Sequence, residues 1–188
     1  IVKHNGPLVH EGIERPLPRS ITDYAEMQDL ELHTHAGPEA QIAAVADDIA
    51  YNNHDIDDGL RARLFTIADL NEVPLVGPIF ADVVKLFPDA DESRCIHEAV
   101  RRLIGAMTND LIKETARRIN DLGPKNATDV RHHRDPVAGF SEAMRENDAA
   151  IKDFLFSNMY RHYKLNRMTS KGKRVVKDLF QLLLEEPE

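Results

Sequence analysis

Cysteine is almost absent: Cys95 stands alone among 188 residues, so no disulfide and no zinc–thiolate site can form within the chain. Tryptophan is missing altogether, and glycine is sparse at nine residues. No apolar run is long enough to span a bilayer, and no secretory h-region is present. Together these absences point to a reducing, cytoplasmic setting. Strict apolar/polar alternation is also nearly lacking, which argues against a sheet protein. Basic charge is in deficit, with 24 Lys and Arg against 32 Asp and Glu and a net charge of −8. That balance excludes a protein that coats nucleic acid in general, while leaving room for a local basic pocket.

What remains is a helical pattern. Hydrophobic residues make up 42% of the chain, enough for one sizeable core. The chain opens Ile1-Val2-Lys3 and closes Leu184-Glu185-Glu186-Pro187-Glu188, so it reads as a piece of a longer protein. Residues 1–37 are punctuated by Pro7, Pro16, Pro18, Gly6, Gly12 and Gly37, with Ile21 to Met27 as a short helix or an irregular strip. Pro38 opens a helix to about residue 53, with a second segment from 56 to 65 that is either continuous with it or broken near Asp57-Asp58-Gly59. Further helices are expected over 79–86, about 91–122, 141–162 and 164–185. Gly123-Pro124 stops the longest of them, and Ser141 caps the next. Six or seven helices of unequal length make an all-α chain.

The stretch from Glu39 to Asp55 is the unusual one. Ile42, Val45, Ala46 and Ile49 recur at helical spacing as an apolar stripe. Asp47, Tyr51 and Asp55 fall one above the next on the other side, beside Ala40 and Ala44. Carboxylates on a face of small residues need a cation, a metal or a donor network. From the residues alone, Asp47, Asp48, Asp55, Asp57 and Asp58 are either a solvated acidic helix end or a divalent-metal or phosphate-linked site. His33-Thr34-His35 is either a polar loop or a His-x-His metal pair. Arg101, Arg102 and Lys113 are triphosphate contacts or exposed helix charges packing by their stems. Arg131-His132-His133-Arg134 is a mobile polar loop or a nucleotide or partner loop. Lys171-Gly172-Lys173-Arg174 is a solvated helix start, or a nucleic-acid or allosteric-nucleotide contact. Cys95, beside Ile96 and Val100, reads as core.

Ala46-Asp47-Asp48-Ile49-Ala50-Tyr51-Asn52-Asn53-His54-Asp55-Ile56-Asp57-Asp58-Gly59-Leu60-Arg61 resembles the bacterial deoxyguanosinetriphosphate triphosphohydrolase-like proteins. Three more stretches are similar to the same family: Ile1 to Pro7, Arg101 to Ile112, and Phe156 to Tyr160. The resemblance implies an HD-domain-like, all-helical enzyme that hydrolyses dGTP or another dNTP to the deoxynucleoside and inorganic triphosphate. It implies a divalent cofactor, magnesium or manganese, held by a His, a His-Asp pair and a distant Asp. By the family's spacing Asp47 is that last metal ligand, with Asp48 as its competitor. Tyr51 would meet the phosphate or sugar and Asp55 the deoxyribose 3′-hydroxyl. Arg101 and Arg102 are weaker substrate candidates.

The family's upstream His and His-Asp ligands are missing from the sequence, and His54-Asp55 sits at the sugar position instead. The expectation is a C-terminal portion, with 1–66 closing the catalytic core and 67–188 a helical C-terminal region. Alone it would be inactive. A homo-oligomer with no membrane contact is expected. A different phosphohydrolase or phosphodiesterase of the same superfamily, or a non-catalytic nucleotide-sensing helical module, are the competing readings.

Overall fold

A computed structural model describes residues 2–3, 5–10 and 16–187. Ile1, His4 and Gly12, used above for resemblance and punctuation, lie outside the described residues. Seven α-helices account for most of the described chain, which contains no β-strand. They are α1 (Arg19–Met27), α2 (Pro38–Arg61), α3 (Val76–Leu86), α4 (Glu92–Leu122), α5 (Ala127–Arg131), α6 (Glu142–Leu155) and α7 (Tyr163–Glu185). A 3-10 turn covers Ala68–Leu70 and a π turn covers Phe156–Tyr160. No helix of the described residues is long and apolar enough to cross a membrane.

Local chemistry explains most boundaries. Pro38 occupies the first position of α2, where its missing N–H costs no hydrogen bond, and Arg61 closes the last turn. The stretch from 38 to 61 is one helix, so Asp57-Asp58-Gly59 does not break it. Gly59 is there for packing: a Cβ would run into the Phe65 ring. Gly123 ends α4 with φ of 56°, a left-handed conformation that glycine adopts without strain, and Pro124 follows. Asn126 and Asp129 form a reciprocal capping box that starts α5 inside what the sequence suggests is loop. Ser141 Oγ accepts from the Met144 N–H at 3.2 Å, and the same hydroxyl donates to Asp110 at 2.7 Å. The helix that the sequence extends to about residue 162 changes pitch after Leu155 into the π turn.

Two compact units divide the chain, and α2, α4 and α6 contribute to both. The first comprises Ile1–Tyr51 with Ile104–Arg145. Its buried residues include Met107, Leu111, Val130, Val137, Phe140 and Met144. Gln41 is the polar centre of this unit. Its Nε2 donates to the Ala36 carbonyl at 2.9 Å. Its Oε1 accepts from the Val137 and Ala138 N–H groups at 2.9 and 3.2 Å. Arg118 clamps the same loop, donating to the Pro136 and Phe140 carbonyls at 3.2 and 2.7 Å. Glu114 holds that guanidinium at 2.8 Å. His35 is buried, and its Nε2 meets the Arg134 carbonyl at 3.2 Å, so that nitrogen carries the proton. His33 stays exposed, its ring edge-on to that of His132, in the turn that precedes α2.

The second unit comprises Asn52–Leu103 with Glu146–Glu188. Ile56, Leu70, Val76, Phe80, Leu103 and Leu155 are fully or almost fully buried. Cys95 is buried there as a small hydrophobe, as its neighbours suggest. The apolar stripe expected on α2 is corrected by the structure. Ile42 is 40% exposed and Ala46 is exposed, whereas Gln41, Ile49, Asn52, Asn53, Ile56 and Leu60 are buried. The buried side of α2 is thus part amide, and the helix does not lie buried along its first half. Ile112 of α4 is likewise exposed rather than core.

Replacing Gln41 with Ala leaves two buried N–H groups without an acceptor, and should cost about 3 kcal/mol of stability, read as a fall in Tm. Glu114 gives a pH test. Hydrogen bonds from Arg117 and then Arg118 hold its carboxyl at about 2, below the ordinary 4.5, with burial opposing them. Its contribution to stability is therefore full above pH 4.5 and is lost as pH falls from there towards 2. Glu114→Gln should lower Tm at pH 7 and leave it nearly unchanged at pH 2; an equal loss at both values would show the pair contributes nothing pH-dependent.

Candidate functional site

The acidic residues of α2 separate by environment. Asp47, Asp48 and His54 are exposed, and Tyr51 is 59% exposed. Asp55 is half-buried and accepts a hydrogen bond from the phenol of Tyr160, 105 residues further along the chain. His54 and Asp55 are adjacent in sequence but serve different surroundings, so nothing here binds them as a pair. Asp47, Tyr51 and Asp55 do recur at four-residue steps along an unbroken helix, which is the spacing that stacks side chains.

Within the second unit, the support of Asp55 is built from the residues around it. Asn52, 3% exposed, donates from Nδ2 to Asp148 Oδ1 at 2.8 Å. The other Asp148 oxygen pairs with Lys152 Nζ at 2.8 Å. One carboxylate thus serves a buried amide and an ammonium, one turn of α2 before Asp55. Ile56 and Leu60 bury the next turns, and Phe65 meets Phe154 edge to face at 5.0 Å. The π turn then follows directly. A π turn inserts an extra residue into the helical repeat and redirects the side chains it carries. Here it is the element that presents the Tyr160 hydroxyl to Asp55.

Tyr160 is the residue that sequence reasoning missed. The sequence places it at the end of a family-like stretch, Phe156 to Tyr160, within the helix expected over 141–162, without a site role. Only its phenol oxygen, a polar tip on an otherwise apolar body, hinted at a partner, and no spacing rule reaches across 105 residues.

Arg101 and Arg102 stand together on α4, and Glu98 accepts from both. Its contacts are 2.8 Å to each of two Arg101 nitrogens and 2.6 Å to Arg102 Nε. The hydrogen bonds from Arg101 and then Arg102 hold the Glu98 carboxyl down at about 2. Arg102 also lies over the Phe87 ring, 5.9 Å from its centroid. Arg134, His132 and Lys113 are exposed. Among the described residues no group of three His, Cys, Asp or Glu side chains is placed to hold a metal ion. Asp47 therefore offers one hard oxygen donor, suited to a divalent cation but not by itself a site.

A family model described as a phosphohydrolase-associated domain matches residues 138–188, which include Tyr160. Along its entire length the chain is similar to curated proteins called deoxyguanosinetriphosphate triphosphohydrolase-like. The one from Parvibaculum lavamentivorans is 57% identical over 189 residues, covering 100% of this chain and 48% of that protein. The one from Azorhizobium caulinodans is 45% identical over 195 residues, covering 100% and 49%. The one from Caulobacter vibrioides is 46% identical over 188 residues, covering 100% and 48%. The chain spans about half the length of the curated relatives it matches.

The Asn52–Asp148 bond should be measurable in the folded chain. Asn52→Ala is expected to cost about 2 kcal/mol, the loss of a buried hydrogen bond to a charged group. Asn52→Asp should be worse at pH 7 than at pH 4, because it sets two carboxylates side by side until one is protonated. Equal Tm losses at both values would show that Asp148 does not face this position.

Proposed function

We propose that this chain, which belongs with the deoxyguanosinetriphosphate triphosphohydrolase-like proteins over about half of their length, carries the sugar-facing part of a metal-dependent site that hydrolyses deoxynucleoside triphosphates. The products are the deoxynucleoside and inorganic triphosphate. The observation that carries the reading is the Asp55–Tyr160 hydrogen bond, which fixes one carboxylate of α2 at the position where the resemblance expects a sugar contact.

The roles follow from donor chemistry. Asp55 is an acceptor-only group and takes a hydrogen bond from the 3′-hydroxyl of the deoxyribose. Tyr160 orients it. A hydrogen-bonding wall of this kind discriminates between sugars far better than an apolar one. Tyr51, four residues before, donates to phosphate without adding charge. Asp47 is the metal ligand and Asp48 the competitor one residue on, about 100° round the helix. Arg101 and Arg102 rank last as triphosphate contacts, since Glu98 engages both.

A magnesium or manganese ion fits Asp47 as a hard oxygen donor; when bound it would polarise the α-phosphate and favour ionisation of water. Its remaining ligands would come from outside these 188 residues. Hydrolysis to the stated products joins the water oxygen to the α-phosphorus and breaks that phosphorus from the 5′ oxygen, which takes a proton. The residues of this chain bind and orient the substrate. The setting proposed is cytoplasmic and the assembly homo-oligomeric.

The test uses the intact protein. Asp47→Ala should abolish hydrolysis and weaken metal binding measured by calorimetry. Asp55→Ala should lower kcat/KM by about 10²-fold, the worth of a hydrogen bond to a charged group. Tyr160→Phe should lower it by about tenfold. Release of pyrophosphate in place of triphosphate would assign a different phosphohydrolase activity. Full metal binding and turnover in Asp47→Ala would leave a non-catalytic nucleotide-sensing module as the better reading.

A further inference from the structure

Histidines from distant parts of the sequence meet in the first unit, where the turn before α2 lies against the end of α5. The backbone at this seam is tied from several directions. The His35 N–H donates to the Arg131 carbonyl at 2.9 Å, and His35 Nε2 to the Arg134 carbonyl at 3.2 Å. Arg131 reaches back to the Glu31 carboxylate at 3.2 Å. Lys3 Nζ donates to the Glu31 carbonyl at 2.9 Å and to the Thr34 hydroxyl at 2.8 Å. These bonds flank His33 on one segment and His132 on the other, so the two positions are set before either ring takes a ligand.

The two rings meet edge to face with centroids 6.3 Å apart, and both side chains are exposed. His132 is oriented further. Its Nδ1 lies 3.0 Å from the Thr128 carbonyl, which can only accept, so Nδ1 carries the proton and Nε2 presents its lone pair. A carbonyl on the far nitrogen is the partner that metal-ligating histidines commonly have: it fixes the tautomer and raises the basicity of the ligating nitrogen. The spacing also fits a shared ion. Two zinc–nitrogen bonds of about 2.0–2.1 Å set in line span roughly 6 Å between ring centroids, and a tetrahedral angle shortens this to roughly 5 Å. A small rotation of the exposed His33 ring covers the difference. The neighbouring Arg131 guanidinium is paired with Glu31.

We propose that His33 and His132 bind a late first-row divalent ion (zinc, nickel or copper) as a clip between the turn before α2 and the end of α5. Imidazole nitrogen favours these ions over magnesium and manganese, which take oxygen donors. Among the described residues no group of three His, Cys, Asp or Glu completes a shell, so water fills the remaining positions. The partners are not the His-x-His pair that spacing alone suggests: His35 gives its Nε2 to a carbonyl, and His132 takes its place. The site is separate from the oxygen donor Asp47, and the inference is independent of the hydrolytic reading.

Calorimetric titration of the intact protein with zinc chloride, in excess magnesium to fill oxygen-donor positions, tests it. His33→Gln and His132→Gln should each weaken one zinc-binding event at least tenfold, the scale on which even an outer-shell partner matters. His133→Gln, beside the pair but with its Nδ1 turned to the Asp135 carbonyl, should bind zinc as the parent does. Zinc should raise the Tm of the parent by more than that of His132→Gln. Without zinc, all three variants should melt with the parent, which separates loss of a ligand from loss of fold. Zinc binding unchanged in either His33→Gln or His132→Gln would overturn the proposal. So would an equal loss in His133→Gln, which would mark a diffuse histidine-rich surface, and so would the absence of the event in excess magnesium.

Discussion

A polar side chain withdrawn from water must be hydrogen-bonded, and this requirement governs α2 more than its hydrocarbon does. The helix buries Gln41 and Asn52, and each is answered from far along the chain. Gln41 is met by the backbone at Val137 and Ala138, and Asn52 by Asp148. In both cases the amide is paired across 96 or 97 residues. An apolar contact tolerates sliding by an ångström or two at small cost, whereas these bonds lose most of their strength outside a narrow range of distance and angle. Rotation of α2 about its axis is therefore fixed within each unit by directional bonds. The position of Asp55 inherits that fixity from Asn52, less than one turn away.

The same logic accounts for the π turn. A regular continuation of α6 would carry the side chains after Leu155 round at the ordinary 100° per residue. Phe156–Tyr160 interrupts that repeat, at the cost of poorer backbone hydrogen bonding. What the distortion accomplishes is visible in one contact, the Tyr160 phenol on Asp55. Departures from regular geometry are expected to cluster where a side chain must be aimed, and here the aim and the departure coincide.

How much of this was legible beforehand divides along a clear physical line. Boundaries set by local chemistry could be read directly: Pro38, the Gly123-Pro124 stop and the Ser141 cap each act through neighbours within four residues. So could the all-helical class, which rests on periodicity. Periodicity rewards hydrocarbon and so does not find the buried face of α2. Ile42, Val45, Ala46 and Ile49 outvoted Gln41, Asn52 and Asn53, whose burial depends on partners no local rule contains. Tyr160 was invisible as a site residue for the same reason. The capping box at Asn126 was, by contrast, present in the sequence as Asn-x-x-Asp and hidden only by the polar residues around it.

The His54-Asp55 dipeptide shows why motif spelling is weaker evidence than motif setting. A His-Asp metal pair requires both side chains to converge on one ion, and neighbours on a helix diverge by about 100°. Such a pair works only when the fold supplies further ligands around it. Here His54 faces solvent while Asp55 turns to a tyrosine, and no third ligand stands near among the described residues. Asp47 has the opposite profile: it is exposed, eight residues before Asp55, and on the same side of an unbroken helix. A cation shared with groups beyond this chain needs a carboxylate left open to them. A sugar hydroxyl needs one already held still. The proposed roles draw on that difference in exposure between the two aspartates.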